Sequence, residues 1–205
     1  MIMDNIFVRV LTRIFDFILL NVLWLVCSLP IVTIGASTTA LYAVMMKVAA
    51  NEEGYILRGF LDAFRSNLKQ STAVWLILLA VGAVIGIDFM IVRRMPGKLA
   101  EVGTVLLGAA SFIYMVEVIF VFPLIARFEN STFQMMKNAI LIPAVRFPFM
   151  ALIMLVTGAC LVLTFLNTTT ILAGAVIWSL IGVSILTYAN SFLLSGMLRP
   201  FIEKE

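Results

Sequence analysis

Residues 21–50 read NVLWLVCSLPIVTIGASTTALYAVMMKVAA, apolar on both sides of a centre marked by Pro30 and Gly35. Proline cannot donate into a helix and glycine readily allows the chain to reverse. The stretch therefore reads as helix, break, helix. Its first half completes a long apolar run, Ile14–Ile34. Its second half, Ala36–Ala50, holds fifteen residues. At about 1.5 Å per residue these cover about 22 Å, short of a hydrocarbon core about 30 Å thick. Such a helix can span obliquely, re-enter, or lie at the interface, and the choice decides whether the chain crosses a membrane five times or six.

Outward from this stretch the setting is unambiguous. Four further runs, Thr72–Val92, Val102–Ala126, Phe147–Leu166 and Ile171–Leu194, reach the length of a spanning helix. Of 205 residues, 63% are apolar and 12% charged, against roughly 45–50% and about 25% in a soluble domain. Inside a bilayer each helix satisfies its own backbone hydrogen bonds, so lipid is the solvent for this fold and the bilayer its first partner. The expected class is all-α, a polytopic transmembrane helical bundle forming a single domain over residues 1–205. The run after Arg9 and Arg13 imitates a signal peptide but reads as an uncleaved first helix.

Basic residues choose between five spans and six, because short cytoplasmic loops collect them. With six, the inner side holds Arg9, Arg13, Lys47, Arg58, Arg65, Lys69, Arg127, Lys137, Arg146, Arg199 and Lys204, and the outer side only Arg93, Arg94 and Lys98, eleven against three. With five, Arg9 and Arg13 move outside and the division falls to nine against five. Six spans with both termini cytoplasmic fit better. The net charge of +3 is spread through these loops, so it points to topology and not to nucleic acid.

Two inner connections carry helical periodicity. Arg58–Gln70, RGFLDAFRSNLKQ, sets Phe60, Leu61, Phe64 and Leu68 against Arg58, Asp62, Arg65 and Lys69. Ser131–Val145 alternates Phe133, Met136, Ile140 and Leu141 with Gln134, Lys137 and Asn138, and ends near Pro143. Both are expected to lie on the cytoplasmic membrane surface as amphipathic helices. Phe60, Phe64, Met135 and Met136 are then candidates for docking a partner, with ordinary membrane contact the blander account.

An ionisable group within a span costs at least about 2.5–3.5 kcal/mol to insert, which makes it a functional hypothesis by default. Glu117 is the outstanding case. It lies nine residues from the inner end of its span, and Asn21 about seven from the inner end of the first, so the two are expected to meet. Glu117 is then either a proton or solute contact or a protonated, hydrogen-bonded group holding helices together. Asp16 follows Arg13 at the i,i+3 spacing of a local charge pair, which Asn190 could join from the last span. Asp88 has Arg93 and Arg94 nearby for an external ion pair. Gly82 and Gly86 form a small-xxx-small face that favours close packing inside the bundle over homodimerisation. Trp24, Trp75 and Trp178 read as interface anchors or packing bulk.

Catalytic templates fail in turn. The chain has no histidine, no GxSxG, no phosphate loop, no HExxH and no carboxylate cluster. Cys27 and Cys160 lie in apolar runs as small hydrophobes, and no metal or other cofactor is implied. The triplets Asn130-Ser131-Thr132 and Asn167-Thr168-Thr169 match the glycosylation pattern by chance, the first being cytoplasmic and the second too close to the membrane.

The segment Asn21–Tyr42, NVLWLVCSLPIVTIGASTTALY, resembles the signature of the YesL-like family of bacterial membrane proteins. Phe60–Thr72, FLDAFRSNLKQST, and Glu129–Ala139, ENSTFQMMKNA, look like further blocks of that family. The resemblance implies no biochemical activity and no functional residues. Members are commonly encoded beside sugar-uptake transporters and polysaccharide-degrading enzymes in Gram-positive bacteria, which implies a non-catalytic role around carbohydrate import and a sugar-importer permease or other membrane subunit as partner. A transporter or channel in its own right is the alternative. Ala139–Pro143, AILIP, is similar to the end of the coupling-helix motif of carbohydrate-importer permeases, departing from it at the Ala-Ala, the glycine and the order around leucine.

Overall fold

The computed structural model describes residues 6–52 and 54–202. Lys204 and the side chain of Arg9, both counted above among the inner cations, lie outside that description. The secondary structure of the described residues is all helical: α1 Ile6–Ser28, a 3-10 turn Ile31–Thr33, α2 Ile34–Ala49, α3 Ile56–Val92, α4 Lys98–Arg127, α5 Thr132–Val145, α6 Phe147–Thr164, α7 Thr168–Ile177, a π-helical turn Trp178–Gly182, and α8 Val183–Ile202. Among the described residues six segments are long and apolar enough to cross a membrane, Ile31–Ala49 among them. By length and composition the segment holding the short second helix counts as the sixth. The 3-10 turn adds the length that α2 lacks.

The second span is the least apolar of the six because its neighbours are protein. Over an 18-residue stretch of that segment 56% of the residues are buried, against 11–28% over the same length in the others. Gly35, Ala36, Ser37, Thr39 and Ala40 form its inward N-terminal half. Small residues let helix backbones approach where lipid provides no hydrophobic drive to association. A Cβ on Gly35 would stand 2.6 Å from the Ser71 carbonyl oxygen, 2.8 Å from Trp75 Cβ and 2.8 Å from Phe122 Cε1. At that point α2 touches both α3 and α4.

The break is stitched with hydrogen bonds. The Trp75 indole donates to the Ile31 carbonyl at 2.7 Å, and the Thr33 hydroxyl donates to the carbonyls of Cys27 and Pro30. Trp24 donates to Thr38 Oγ1, and Ser28 and Ser37 share a bond of 2.6 Å across the hairpin. A helix end in a dry setting needs such partners, since its terminal backbone groups have none of their own. All three tryptophans serve this way, for Trp178 donates to Thr164 Oγ1 on α6 at 2.9 Å. They are staples between helices, a role that the anchor-or-bulk reading did not include.

At its other end α2 closes with a Schellman motif. Asn51 takes a left-handed φ of 56°, the Asn51 N–H donates to the Val48 carbonyl, and the Glu52 N–H donates to that of Lys47. The α3–α4 turn uses Gly97 at φ 67°, ψ −152°, a region essentially closed to residues with a Cβ.

One expected element is corrected. Residues 58–70 are not a separate surface helix but the first part of the 37-residue α3. Its buried residues, Phe60, Ser71, Val74 and Leu78, form one stripe at heptad-like spacing across the supposed boundary, while Asp62, Arg65 and Lys69 stay exposed. The apolar face therefore packs on α2 and not on lipid, with Phe60 joining Leu20, Leu41, Val44 and Met45 in one cluster. No proline or helix-capping break interrupts Lys69-Gln70-Ser71-Thr72.

The 131–145 segment is a separate helix, α5, with its N-terminus capped by Ser131. Its Met135 and Ala139 face are fully buried in the main core, while Phe133, Leu141 and Val145 point outward. Phe60 and Met135 are therefore spent inside the chain and are withdrawn as docking residues. Phe64 and Met136 are partly buried against the same two cores. Both glycosylation-like triplets are helix caps: Ser131 accepts from the Gln134 N–H, and Asn167 forms a capping box with Thr170.

Candidate functional site

The candidate site is a set of polar side chains buried in the middle of the bundle. Asn21, on α1, is completely buried. Its Nδ2 donates to the carbonyls of Trp178 at 3.0 Å and Ser179 at 2.8 Å, and its Oδ1 accepts from the Ser184 N–H at 3.1 Å. Those groups belong to the π turn and its exit into α8. A π turn shifts backbone pairing by one residue and leaves backbone groups in need of partners, often at functional positions. Gly182 permits it, because a Cβ there would lie 3.0 Å from the Trp178 ring and 3.1 Å from the Ile177 carbonyl oxygen. One asparagine thus ties the first span to the last.

A second knot lies on α8. Asn190 is 2% exposed, and its Nδ2 donates to Tyr42 Oη at 3.4 Å and to Thr157 Oγ1 at 3.2 Å. Helices α2, α6 and α8 are thereby joined. A third joins α2 to α3, where the hydroxyls of Thr39 and Ser71 lie 2.9 Å apart and Thr39 also donates to the Gly35 carbonyl.

Glu117 is buried beside Val116 and Phe120 of the main core, and its Oε1 has no hydrogen-bond partner. Asn190 Oδ1 and the hydroxyls of Ser184 and Ser191 are likewise unpartnered. Along their helices Glu117 stands ten residues before Arg127, Asn190 nine before Arg199, and Thr157 eleven after Arg146. At about 1.5 Å per residue all three lie about 14–17 Å from the basic ends of their helices. That is close to the middle of a ~30 Å hydrocarbon core.

The expected pairings are redrawn. Asn21 and Glu117 do not bond to each other, since every Asn21 bond goes to the π turn and its exit. Asn190 does not join Arg13 and Asp16, because its donors are taken by Tyr42 and Thr157. Asp16 is partly buried, with Arg13 as its electrostatic neighbour. Asp88 is partly buried near the far end of α3. Gly82 lies against the Tyr114 hydroxyl, which donates to the Leu78 carbonyl, whereas a Cβ on Gly86 would meet nothing within 4 Å. Only the first of the two glycines packs between helices.

Sequence reading missed Tyr42, Thr157, the Thr39–Ser71 pair and the π turn. Hydroxyl residues are common in spanning helices, and only the direction each one faces separates a bonded partner from a solitary one. The sequence around the π turn, WSLIG, holds no proline or charge to mark it.

A family model described as a protein of unknown function, DUF624, matches residues 17–89. The match runs from Phe17 on α1 through the break and α2 to Phe89 on α3, and so includes Asn21, Gly35, Tyr42 and the Thr39–Ser71 contact. Glu117, Thr157 and Asn190 lie beyond it. No curated protein and no solved structure matches the chain.

Proposed function

We propose that the chain is a non-catalytic, multi-pass protein of the cell membrane with cytoplasmic termini, and that it acts as an accessory to carbohydrate uptake in a Gram-positive bacterium. The observation that carries the accessory reading is the dry engagement of Asn21. The Asn21 amide is fully buried and spends its donors and its acceptor on the π turn and its exit, as a structural fastener does and a solute contact does not. The division of basic residues supports the orientation. The resemblance of residues 21–42 to YesL-like proteins supports the link to sugar import and the choice of an importer permease as partner.

Affinity purification in mild detergent tests this reading. The tagged chain should retain a sugar-importer membrane subunit. Recovery of no transporter subunit, under conditions where the transporter itself stays assembled, would count against it.

Glu117 supports a second reading, a proton-coupled or small-solute conduit, because an acidic group with an unpartnered oxygen at mid-membrane depth is the usual material of a relay. On that reading Glu117→Gln lowers proton or solute flux in proteoliposomes by about a hundredfold or more, the scale at which general acid–base groups contribute. Equal flux in wild type and variant, or none in either, removes it.

A further inference from the structure

Three helices far apart in sequence end at one cavity. Lys47 in the last turn of α2, Arg127 at the end of α4 and Arg199 in the last turn of α8 line a space of about 240 Å³ together with Glu52, Met46 and Leu198. The Schellman ending of α2 fixes Glu52 beside Lys47 through its backbone bond. A cation in the last turn complements the helix dipole, and this accounts for each basic residue singly. It does not account for their meeting. Like charges around one space repel, and among the described residues the lining supplies one carboxylate, Glu52, to offset them.

Arg199 already has an interaction of its own, so the case rests on Lys47 and Arg127. The three spans end at Ala49, Arg127 and Phe201, which places the cavity at the level where lipid headgroups meet the hydrocarbon. Met46 and Leu198 give it an apolar wall. Its volume is below the ~300–1,000 Å³ of sites for drug-sized ligands and suits a small anionic group.

We propose that this cavity binds a phosphate-bearing anion, with Lys47 and Arg127 as its principal contacts. The phosphate would come either from an acidic phospholipid headgroup or from a soluble phosphate. This inference is independent of the accessory and conduit readings.

The test is thermal unfolding of the full chain in neutral detergent, titrated separately with phosphatidylglycerol, with phosphatidylcholine and with inorganic phosphate. A saturable rise in midpoint with phosphatidylglycerol alone supports the site and identifies the headgroup as its source. A rise with inorganic phosphate as well supports the site and identifies soluble phosphate. The double variant Lys47→Gln, Arg127→Gln should weaken half-saturation about twenty-five-fold, at about fivefold per basic side chain near an anionic surface. Arg93→Gln with Arg94→Gln removes the same charge at the other end of the bundle and should leave half-saturation unchanged.

Should the glutamine double variant fail to fold, Lys47→Gln alone is expected to show about a fivefold effect, and Lys47→Arg with Arg127→Lys should keep most of the affinity. The proposal is overturned if neither anion gives a saturable rise, if phosphatidylcholine gives the same rise, or if both double variants weaken binding equally.

Discussion

Asn21→Ala should lower the unfolding midpoint of the detergent-solubilised protein by about 10 °C. The substitution removes three hydrogen bonds and leaves the Trp178 and Ser179 carbonyls and the Ser184 N–H without their partner in a dry interior. A buried group left unsatisfied costs about 1–3 kcal/mol. Local readjustment of the π turn recovers part of this, for a net loss of about 3–5 kcal/mol. A chain of this size loses about 2–4 °C per kcal/mol. Asn21→Asp should be at least as damaging, because it keeps the acceptor for Ser184 but sets a carboxylate against two carbonyl oxygens. A midpoint for Asn21→Ala within about 2 °C of wild type, less than one kcal/mol by the same scaling, would mean that the first span does not hold the π turn.

Gly35→Ala is expected to have an effect of similar size by a different route. Two of the three atoms a Cβ would meet, the Ser71 carbonyl oxygen at 2.6 Å and Trp75 Cβ at 2.8 Å, are fixed to the α3 backbone and cannot swing aside. Helices α2 and α3 must separate, which also stretches the 2.9 Å contact between Thr39 and Ser71. Overpacking costs about 1–3 kcal/mol and the lost hydrogen bond about 1 kcal/mol more. Gly86→Ala provides the contrast. With nothing within 4 Å, it should be neutral or stabilising by up to about 1 kcal/mol, since alanine favours helix over glycine. Midpoint scans of the two variants side by side separate close packing from intrinsic propensity. Equal midpoints would show that α2 does not approach α3 as closely as the structure has it.

Much of this architecture is legible in the letters, and the misses have specific causes. Pro30 and Gly35 mark the break because their backbone chemistry is local. The 58–70 segment was misassigned because an amphipathic stripe shows which residues turn away from water but not what covers them. Lipid and a neighbouring helix leave the same pattern, and here the cover is α2. Met135 was misplaced for the same reason. Gly82 and Gly86 read as an equivalent pair, yet Tyr114 stands against only one of them.

Glu117 and Asn21 are both buried, but the pairing expected of them is absent, since Asn21 bonds the π turn and its exit. Sequence gives the depth of a side chain along its helix but not the rotation of that helix about its axis.

Composition and the spacing of apolar runs determined by themselves that this is a helical membrane protein, because burying so much hydrocarbon leaves no other solvent for it. The tertiary structure alone decided that the short second span is the buried centre of the bundle, that Asn21 fastens a π turn in the last span, and that Lys47, Arg127 and Arg199 converge on one cavity. These are contacts between residues up to about 160 positions apart. Such contacts depend on how helices are rotated and paired, and in lipid that is set by close packing and polar bonding, which the hydropathy of the chain does not encode.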